Sequence, residues 1–171
     1  MTSEKQIVEI QLNRNLRSEI KVAVKCHFDL PVVVDVPKNL DDGTPFPTMF
    51  WLTCPMYIKK VSTLESHGMV KELDNQLNRN RKLRKLWSKR QKSYEKERNR
   101  KYKSVNNTVS PIGGVGGAVN SIKCLHSHLA DELVTGKNIV GQIVLENVGG
   151  CNCKEPCVVE GTKNDNWRSE W

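Results

Sequence analysis

Strand-like patterns occur only in the first third of this chain, and that distribution limits the fold more than any other feature of the sequence. Residues 20–24 alternate between apolar and polar or small side chains, which predicts a half-buried strand. Residues 32–36 form a β-branched run after a proline, and residues 49–53 suit a strand that is buried on both faces. We therefore expect an α+β fold, in which a small antiparallel sheet of about three strands is covered by helices.

Pro55 marks the change from strand to helix. Proline cannot continue a strand, but it suits the first turn of a helix, which would be capped by Thr53 or Cys54 and would end at Gly68. A thiol at this helix start lies in the positive end of the dipole, which favours a thiolate that can bind metal or attack an electrophile. The other predicted helices span residues 4–14, 70–103 with a break between 78 and 80, 122–135 and 139–147.

The positive charge of the chain is local. Residues 71–103 contain 14 Lys and Arg against 4 Asp and Glu, whereas the rest of the chain contains 13 against 15. We interpret residues 71–104 as a basic helical arm, whose residues 79–103 bind RNA or an acidic protein. A solvated helix face is the alternative. The candidate contacts are Arg81, Lys82, Arg84, Lys85, Trp87, Lys89 and Arg90.

Size and cysteine content indicate the setting of the protein. We expect a single α+β domain over residues 1–150 and a polar, cysteine-containing tail over residues 151–171, weakly ordered beyond Cys157. The sequence has no apolar run near 18 residues and no secretory signal pattern, which favours a cytoplasmic protein without a membrane span. The six cysteines are then free thiols or metal ligands rather than disulfides, or merely scattered structural thiols.

The stretch from Ile122 to His128 combines one thiol and two imidazoles. A helix capped by Asn120 or Ser121 would place Cys124 in its first turn, and the glycines of residues 113–117 would form a tight approach to it. Cys124 and His128 are four residues apart, so on a helix they share a face and can converge on one ion. His126 falls instead on an apolar stripe that predicts the buried side, with Ile122, Leu129 and Leu133.

Three further cysteines lie close together near the C-terminus. Cys151 and Cys153 are separated by one residue, and Cys157 follows after three more. This spacing could wrap one ion, although the firmer zinc pattern uses paired C-x2-C units.

Several of these stretches resemble domain of unknown function family 501, a group of small bacterial proteins. The resemblance rests on residues 42–48 (DGTPFPT), 50–55 (FWLTCP), 61–65 (VSTLE) and 119–128 around KCLH, together with 22–26, 31–33 and 138–141. These segments cover most of residues 5–145 in the order of the family. The resemblance implies no assigned activity, only an association with cell-division and exopolyphosphatase-type genes.

The family pattern also implies a set of site residues, namely Cys26, Cys54, Cys124 and His126, with Cys157 as a match for a C-terminal cysteine. The chain departs from the family after Cys26, where many relatives have a further cysteine or glycine. It also adds Cys151 and Cys153, so the fourth ligand stays open.

We therefore predict a metal or cluster site with Cys26, Cys54, Cys124 and Cys157 as thiolate ligands, and with His126 and His128 as imidazole candidates. Zinc and an iron–sulfur cluster both fit such a set. A zinc ion with an open position would point to hydrolysis.

Two other functions stay open at this stage. One is a metal-free thiol enzyme that pairs Cys54 or Cys124 with His126 or His128. The other is a structural adaptor linked to cell division. The sequence assigns no catalytic residue.

Overall fold

The computed structural model of the protein describes residues 2–101 and 110–168. Its main sheet is antiparallel, in the order β1 (Lys21–Lys25), β2 (Pro31–Asp35) and β3 (Phe50–Leu52). The central strand β2 is buried along its whole length, whereas every second residue of β1 is exposed. Val34 of β2 pairs with Val22 on one side and with Trp51 on the other.

Helices follow and flank this sheet. Within the described residues the α-helices are α1 (Glu4–Leu12), α2 (Pro55–Ser66), α3 (Met69–Arg79), α4 (Arg81–Lys101), α5 (Leu125–Thr135) and α6 (Ile139–Val148). A short 3₁₀ turn at Val115–Gly117 precedes α5, and a small hairpin of β4 (Val158–Val159) and β5 (Thr162–Lys163) follows α6. The fold is α+β, as the sequence predicts. None of the helices in the described ranges is long and apolar enough to cross a lipid bilayer.

The two faces of the sheet are covered by different helices. Val34 packs with Val8 of α1 in a small apolar cluster. Val33 belongs to the larger cluster, which includes Leu125 and Leu129 of α5 and apolar residues of α2, α3, α4 and α6. This alternation of side chains along β2 is the reason that one strand can support two apolar layers.

The ends of the helices confirm some predictions and correct one. Cys54 is the N-cap of α2, and a break at Asn80 separates α3 from α4. The predicted cap of α5 at Asn120 or Ser121 is wrong, because Cys124 is the N-cap and is extended, with φ −148° and ψ 116°. The reason lies in α2, where the carboxylate of Glu65 accepts the Leu125 N–H at 2.6 Å and thereby supplies the start of α5 with a partner.

The predicted basic arm, residues 71–104, is divided between α3 and α4, and the structure does not show it projecting from the domain. Tyr94 is fully buried, and its hydroxyl accepts the backbone N–H of Met49 at 2.6 Å. Trp87 and Arg98 are also buried on this face. Residues 102–104 of the predicted arm lie outside the described ranges.

The segment after α6 contains a short stretch of regular structure. Gly149, with φ 71°, turns the chain at the end of α6. The chain then forms the β4–β5 hairpin, which packs against α1. The last residues of the predicted tail, 169–171, lie outside the described part of the chain.

Candidate metal centre

One face of α2 positions the candidate site. Ile58, Ser62 and Glu65 follow each other at intervals of four and three residues, so they lie on the same side of the helix. The start of α5 meets this face, and two of its residues, Cys124 and His126, reach towards it.

The imidazole of His126 contacts α2 through both ring nitrogens. Its Nδ1 atom lies 3.3 Å from Oε1 of Glu65. Its Nε2 atom lies 3.3 Å from the carbonyl oxygen of Ile58 and 3.2 Å from the hydroxyl of Ser62. Because the Ile58 carbonyl and the Glu65 carboxylate can only accept, both ring nitrogens face acceptors, which favours the doubly protonated imidazolium in the empty site.

Three ligand atoms of different chemistry converge here. A carboxylate oxygen of Glu65, the thiol of Cys124 and a ring nitrogen of His126 all lie within 4.8 Å of one another. All three residues are partly buried, neither sealed in the core nor freely solvated. We refer to Glu65, Cys124 and His126 as the triad.

Each member of the triad has a shifted pKa. Burial alone would lower the pKa of His126, but hydrogen bonds with Cys124 and Glu65 outweigh it and raise that pKa to about 10. Burial opposes ionisation of Cys124, yet His126 and Ser127 favour the thiolate and hold the thiol pKa below its ordinary value. Burial also opposes ionisation of Glu65, whose pKa is lowered by His126 and by the Leu125 N–H. The contacts within the empty triad therefore favour the charged form of each member.

Two members of the triad, Cys124 and His126, line a cleft of about 550 Å³, whereas Glu65 is not part of its lining. Cys124, His126 and Ser127 form one wall of this cleft, and residues of α1, β3 and α2 form the others. Two cations, Arg14 and Lys59, also line it, and the guanidinium of Arg14 lies 4.3 Å from the ring centre of Trp51. The cleft therefore combines an apolar surface with positive charge beside the triad.

The glycine-rich loop lies directly behind Cys124, as the sequence predicts. A Cβ atom added to Gly116, which has φ 65°, would lie 3.7 Å from Cβ of Cys124 and 3.6 Å from the Ser127 side chain. Gln91 holds the loop from the other side, because its side-chain oxygen accepts the Val115 N–H at 2.7 Å. The loop thus supports the thiol through its backbone.

The structure brings Cys124 together with His126 rather than with His128. His128 is fully buried, and its Nδ1 atom lies 3.0 Å from the side-chain oxygen of Asn138. The amide of Asn138 in turn donates to Asp131, which forms a bidentate ion pair with Arg90. His128 therefore belongs to a buried polar network between α4, α5 and α6. Its proposed role as a metal ligand gains no support from this placement.

Cys26, Cys54 and Cys157 also lie apart from the triad. Cys54 shares a hydrogen bond with Cys151, and Cys157 lies near Cys26 and Cys151. The predicted four-cysteine set is thus divided between two places in the fold.

Sequence reasoning missed Glu65 as a site residue. Glu65 ends the VSTLE stretch of the family resemblance, and its spacing from Ile58 and Ser62 indicates a shared helix face. What the sequence could not supply is the position of α5 against that face.

The candidate nucleic-acid residues on α4 fall into two groups. Trp87 and Arg90 are buried, so the indole is not placed for stacking on a base and the guanidinium is committed to Asp131. The remaining five are exposed or partly exposed, namely Arg81, Lys82, Arg84, Lys85 and Lys89.

The fold and site define a small α+β protein with a mixed carboxylate, thiol and imidazole site at the start of a helix. The model of the family described as "Protein of unknown function (DUF501)" matches residues 22–146, which is most of the chain. The protein belongs to this family, as its sequence motifs predict. No curated protein and no solved structure matches the chain.

Proposed function

We propose that this protein binds a zinc ion through Glu65, Cys124 and His126 and presents it to the cleft. The observation that supports this most is the convergence of three different ligand atoms within 4.8 Å at the wall of an open cleft. Three protein ligands and one open position are typical of catalytic zinc sites, whereas structural sites are usually closed by four.

The orientation of His126 favours a metal ligand over a simple catalytic base. Metal-bound histidines usually donate their second ring N–H to a carbonyl or carboxylate, which fixes the tautomer. Ile58 provides that carbonyl at Nε2, and Nδ1 faces Glu65. In a Cys–His–Glu nucleophilic triad, the acid would orient one ring nitrogen while the other faced the thiol. Here Nε2 is already occupied by α2.

Charge balance supports the same interpretation. One divalent ion in place of the His126 proton would neutralise the Glu65 carboxylate and the Cys124 thiolate. Zinc bonds of about 2.0–2.3 Å hold tetrahedral ligand atoms roughly 3.3–3.8 Å apart. His126 Nδ1 and Glu65 Oε1 already have this spacing, at 3.3 Å, and the Cys124 thiol, which lies within 4.8 Å of both, needs to move closer by at most about 1.5 Å. An iron–sulfur cluster fits less well, because clusters are held mainly by several cysteine thiolates and the triad has one.

The surroundings of the site suit a small anionic molecule. Arg14 and Lys59 line the same cleft as Cys124 and His126. A zinc ion there can polarise a carbonyl or phosphoryl oxygen and can lower the pKa of a bound water to about 7. We therefore propose metal-assisted hydrolysis as the class of reaction that this site supports.

Competition against a chelator tests the metal proposal directly. Removal of a true ligand, by Glu65→Gln, Cys124→Ser or His126→Gln, should weaken zinc binding by more than the ~10–100-fold that loss of an outer partner costs. Matched controls are Glu72→Gln and His67→Gln, since both residues are exposed and lie outside the triad. Equal affinities in the ligand variants and the controls would contradict the proposal.

A metal-free thiol enzyme is the second candidate. The observation that favours it is the lowered pKa of Cys124 beside the raised pKa of His126, which favours a thiolate next to an imidazolium. The two candidates differ in their response to a chelator. Chelation abolishes activity in a zinc enzyme but leaves a thiol enzyme active.

We also propose that the exposed cations of α4 bind RNA or an acidic protein. The support is a surface depression lined by Arg81, Lys82, Arg84, Lys85 and Ser88, which is positive and lies away from the cleft. Phosphate contacts from such a surface are sequence-independent and weaken strongly with salt.

A further inference from the structure

The other five cysteines form a second group on a different part of the fold. The Sγ atoms of Cys151 and Cys153 are 4.0 Å apart. Cys54 shares a hydrogen bond with Cys151, which raises the pKa of Cys54 and lowers that of Cys151 to about 5. Burial raises the pKa of Cys157. A hydrogen bond from the side-chain amide of Gln11 opposes this shift, and negative charge at Cys26 and Cys151 adds to it. These couplings place the five thiols in one neighbourhood.

Three distant parts of the chain supply these thiols. Cys26 follows β1, Cys54 caps α2, and the remaining three lie in the segment after Gly149. The Nζ atom of Lys60 donates to the carbonyl of Val148 at 2.8 Å in a buried contact, so the start of this segment is fixed against α2. The ring of His27 contacts the carbonyl of Cys153 at 2.9 Å. The segment therefore lies across the N-terminus of α2 and the β1–β2 turn.

The spacing of Cys151 and Cys153 suits two ligands of a single ion. Zinc–sulfur bonds of about 2.3 Å in a tetrahedron hold neighbouring sulfurs about 3.8 Å apart. The observed 4.0 Å between Cys151 and Cys153 is close to this edge. The other thiols of the set would have to move closer on binding, because the triad is the one group of three ligand atoms within 4.8 Å of one another among the described residues.

Cys157 is better placed than Cys26 to complete the set. Burial raises the pKa of Cys153. A hydrogen bond from the Trp167 indole N–H lowers it, whereas negative charge at Cys151 and Cys157 raises it further. Cys157 thus interacts electrostatically with Cys151 and with Cys153. Cys26, by contrast, acts on the pKa of Cys157.

We propose that Cys54, Cys151, Cys153 and Cys157 form a second metal site, a closed tetrathiolate zinc site that fastens the segment after α6 to the N-terminus of α2. Such a site has a structural role, because all four positions are filled by protein ligands. It also explains how residues 151–157, which form no helix or strand, can be held in place. The backbone N–H groups of Met56 and Tyr57 favour a thiolate at Cys54, so the helix start offsets part of the negative charge.

The test is a count of zinc per chain in protein that is purified with a thiol reductant. Wild type should carry two equivalents, whereas Cys151→Ser, Cys153→Ser and Cys157→Ser should each carry one. The matched control is Cys26→Ser, which should retain both. Cobalt in place of zinc gives a second readout, because intense thiolate-to-cobalt absorption should appear in Cys26→Ser and fall sharply in Cys153→Ser, where Cys124 of the triad is the one thiolate still bound to cobalt.

The structural role has its own readout. Chelation, or Cys153→Ser, should speed protease cleavage in residues 149–168, and Cys26→Ser should not. Two results would overturn the proposal: serine variants that retain as much zinc as wild type, or a Cys54–Cys151 disulfide in place of metal under reductant.

The outcome is independent of the triad. If the triad alone binds metal, Glu65→Gln removes the single equivalent and Cys153→Ser leaves it, which contradicts the second site only. If the four cysteines of the second site alone bind metal, Cys153→Ser removes the single equivalent and Glu65→Gln leaves it. The proposed function then fails while this inference stands.

Discussion

Nδ1 of His126 lies 3.3 Å from Oε1 of Glu65, and this contact joins the second residue of α5 to the last turn of α2. The same Glu65 oxygen accepts the backbone N–H of Leu125 at 2.6 Å. One carboxylate therefore fixes the start of α5 and faces the imidazole at the same time. The position of Cys124 follows from this arrangement, since it is the cap residue directly before Leu125.

Alkylation of the metal-free protein should show the effect of this pairing on Cys124. We expect Cys124 to react with iodoacetamide at pH 7 faster than it does in His126→Gln, because the imidazolium favours the thiolate. Peptide mapping by mass spectrometry measures the rate at this one residue. Zinc should protect Cys124 in wild type, and identical rates in the two proteins would show that His126 does not act on the thiol.

Acid should destabilise the protein through His128. Burial lowers the pKa of this imidazole. The hydrogen bond with Asn138 and the negative charges of Asp131 and Asp74 raise it, but by less. Above pH ~6.5 the ring is neutral in both folded and unfolded chains, so it adds no pH dependence. Below that pH the unfolded chain binds a proton that the folded chain resists, and the free energy of unfolding falls until the pH reaches the lowered folded pKa.

The slope isolates this effect from any change in overall stability. His128 should contribute up to about 1.4 kcal/mol per pH unit below pH ~6.5. Urea unfolding of metal-free wild type and His128→Gln between pH 7 and 5 gives both slopes. A variant as steep as wild type would assign the acid sensitivity to other groups.

The Arg90–Asp131 ion pair should contribute strongly to stability. Both side chains are almost fully buried, and the two are joined by contacts of 2.6 and 2.8 Å. Arg90→Met leaves the Asp131 carboxylate buried without its cation, which we expect to lower the free energy of unfolding by about 3–5 kcal/mol. Lys89→Met is the neighbouring control, and it should change stability by less than about 0.5 kcal/mol because Lys89 is exposed.

The proposed α4 surface makes a salt-dependent prediction. Charge reversal of Lys82, Lys85 and Lys89 should abolish binding to a single-stranded RNA at ~50 mM salt, where phosphate contacts are strong. Fluorescence anisotropy measures this affinity. The control reverses three exposed lysines elsewhere, Lys21, Lys137 and Lys163. If wild type does not bind RNA at this salt concentration, the acidic-protein alternative is left.

The local parts of the fold could be predicted from the sequence. Proline at position 55, the β-branched run after Pro31 and the glycine at position 136 act over a few residues, so their effects on helices and strands can be inferred directly. The cap of α5 could not, because it depends on Glu65, which is 60 residues away. Helix boundaries that are set by tertiary hydrogen bonds leave little trace in local sequence.

For the candidate site, the sequence indicates the chemistry rather than the grouping. It indicates Cys124 and His126, but helical spacing favours His128 as the partner of Cys124. The structure places His126 beside the thiol instead, because Cys124 lies before the helix, where a spacing of four residues no longer places side chains on one face. The pairing of Cys54 with Cys151 depends on how the chain returns after α6, which no local pattern specifies.

X-ray absorption at the zinc edge tests the triad most directly. The sample is Cys153→Ser protein with one zinc equivalent, because this variant lacks a ligand of the proposed tetrathiolate site. Zinc bound by the triad should have one sulfur ligand at about 2.3 Å and nitrogen or oxygen ligands at about 2.0–2.2 Å. A shell with no sulfur, or with several sulfurs, would contradict a zinc centre built from Glu65, Cys124 and His126.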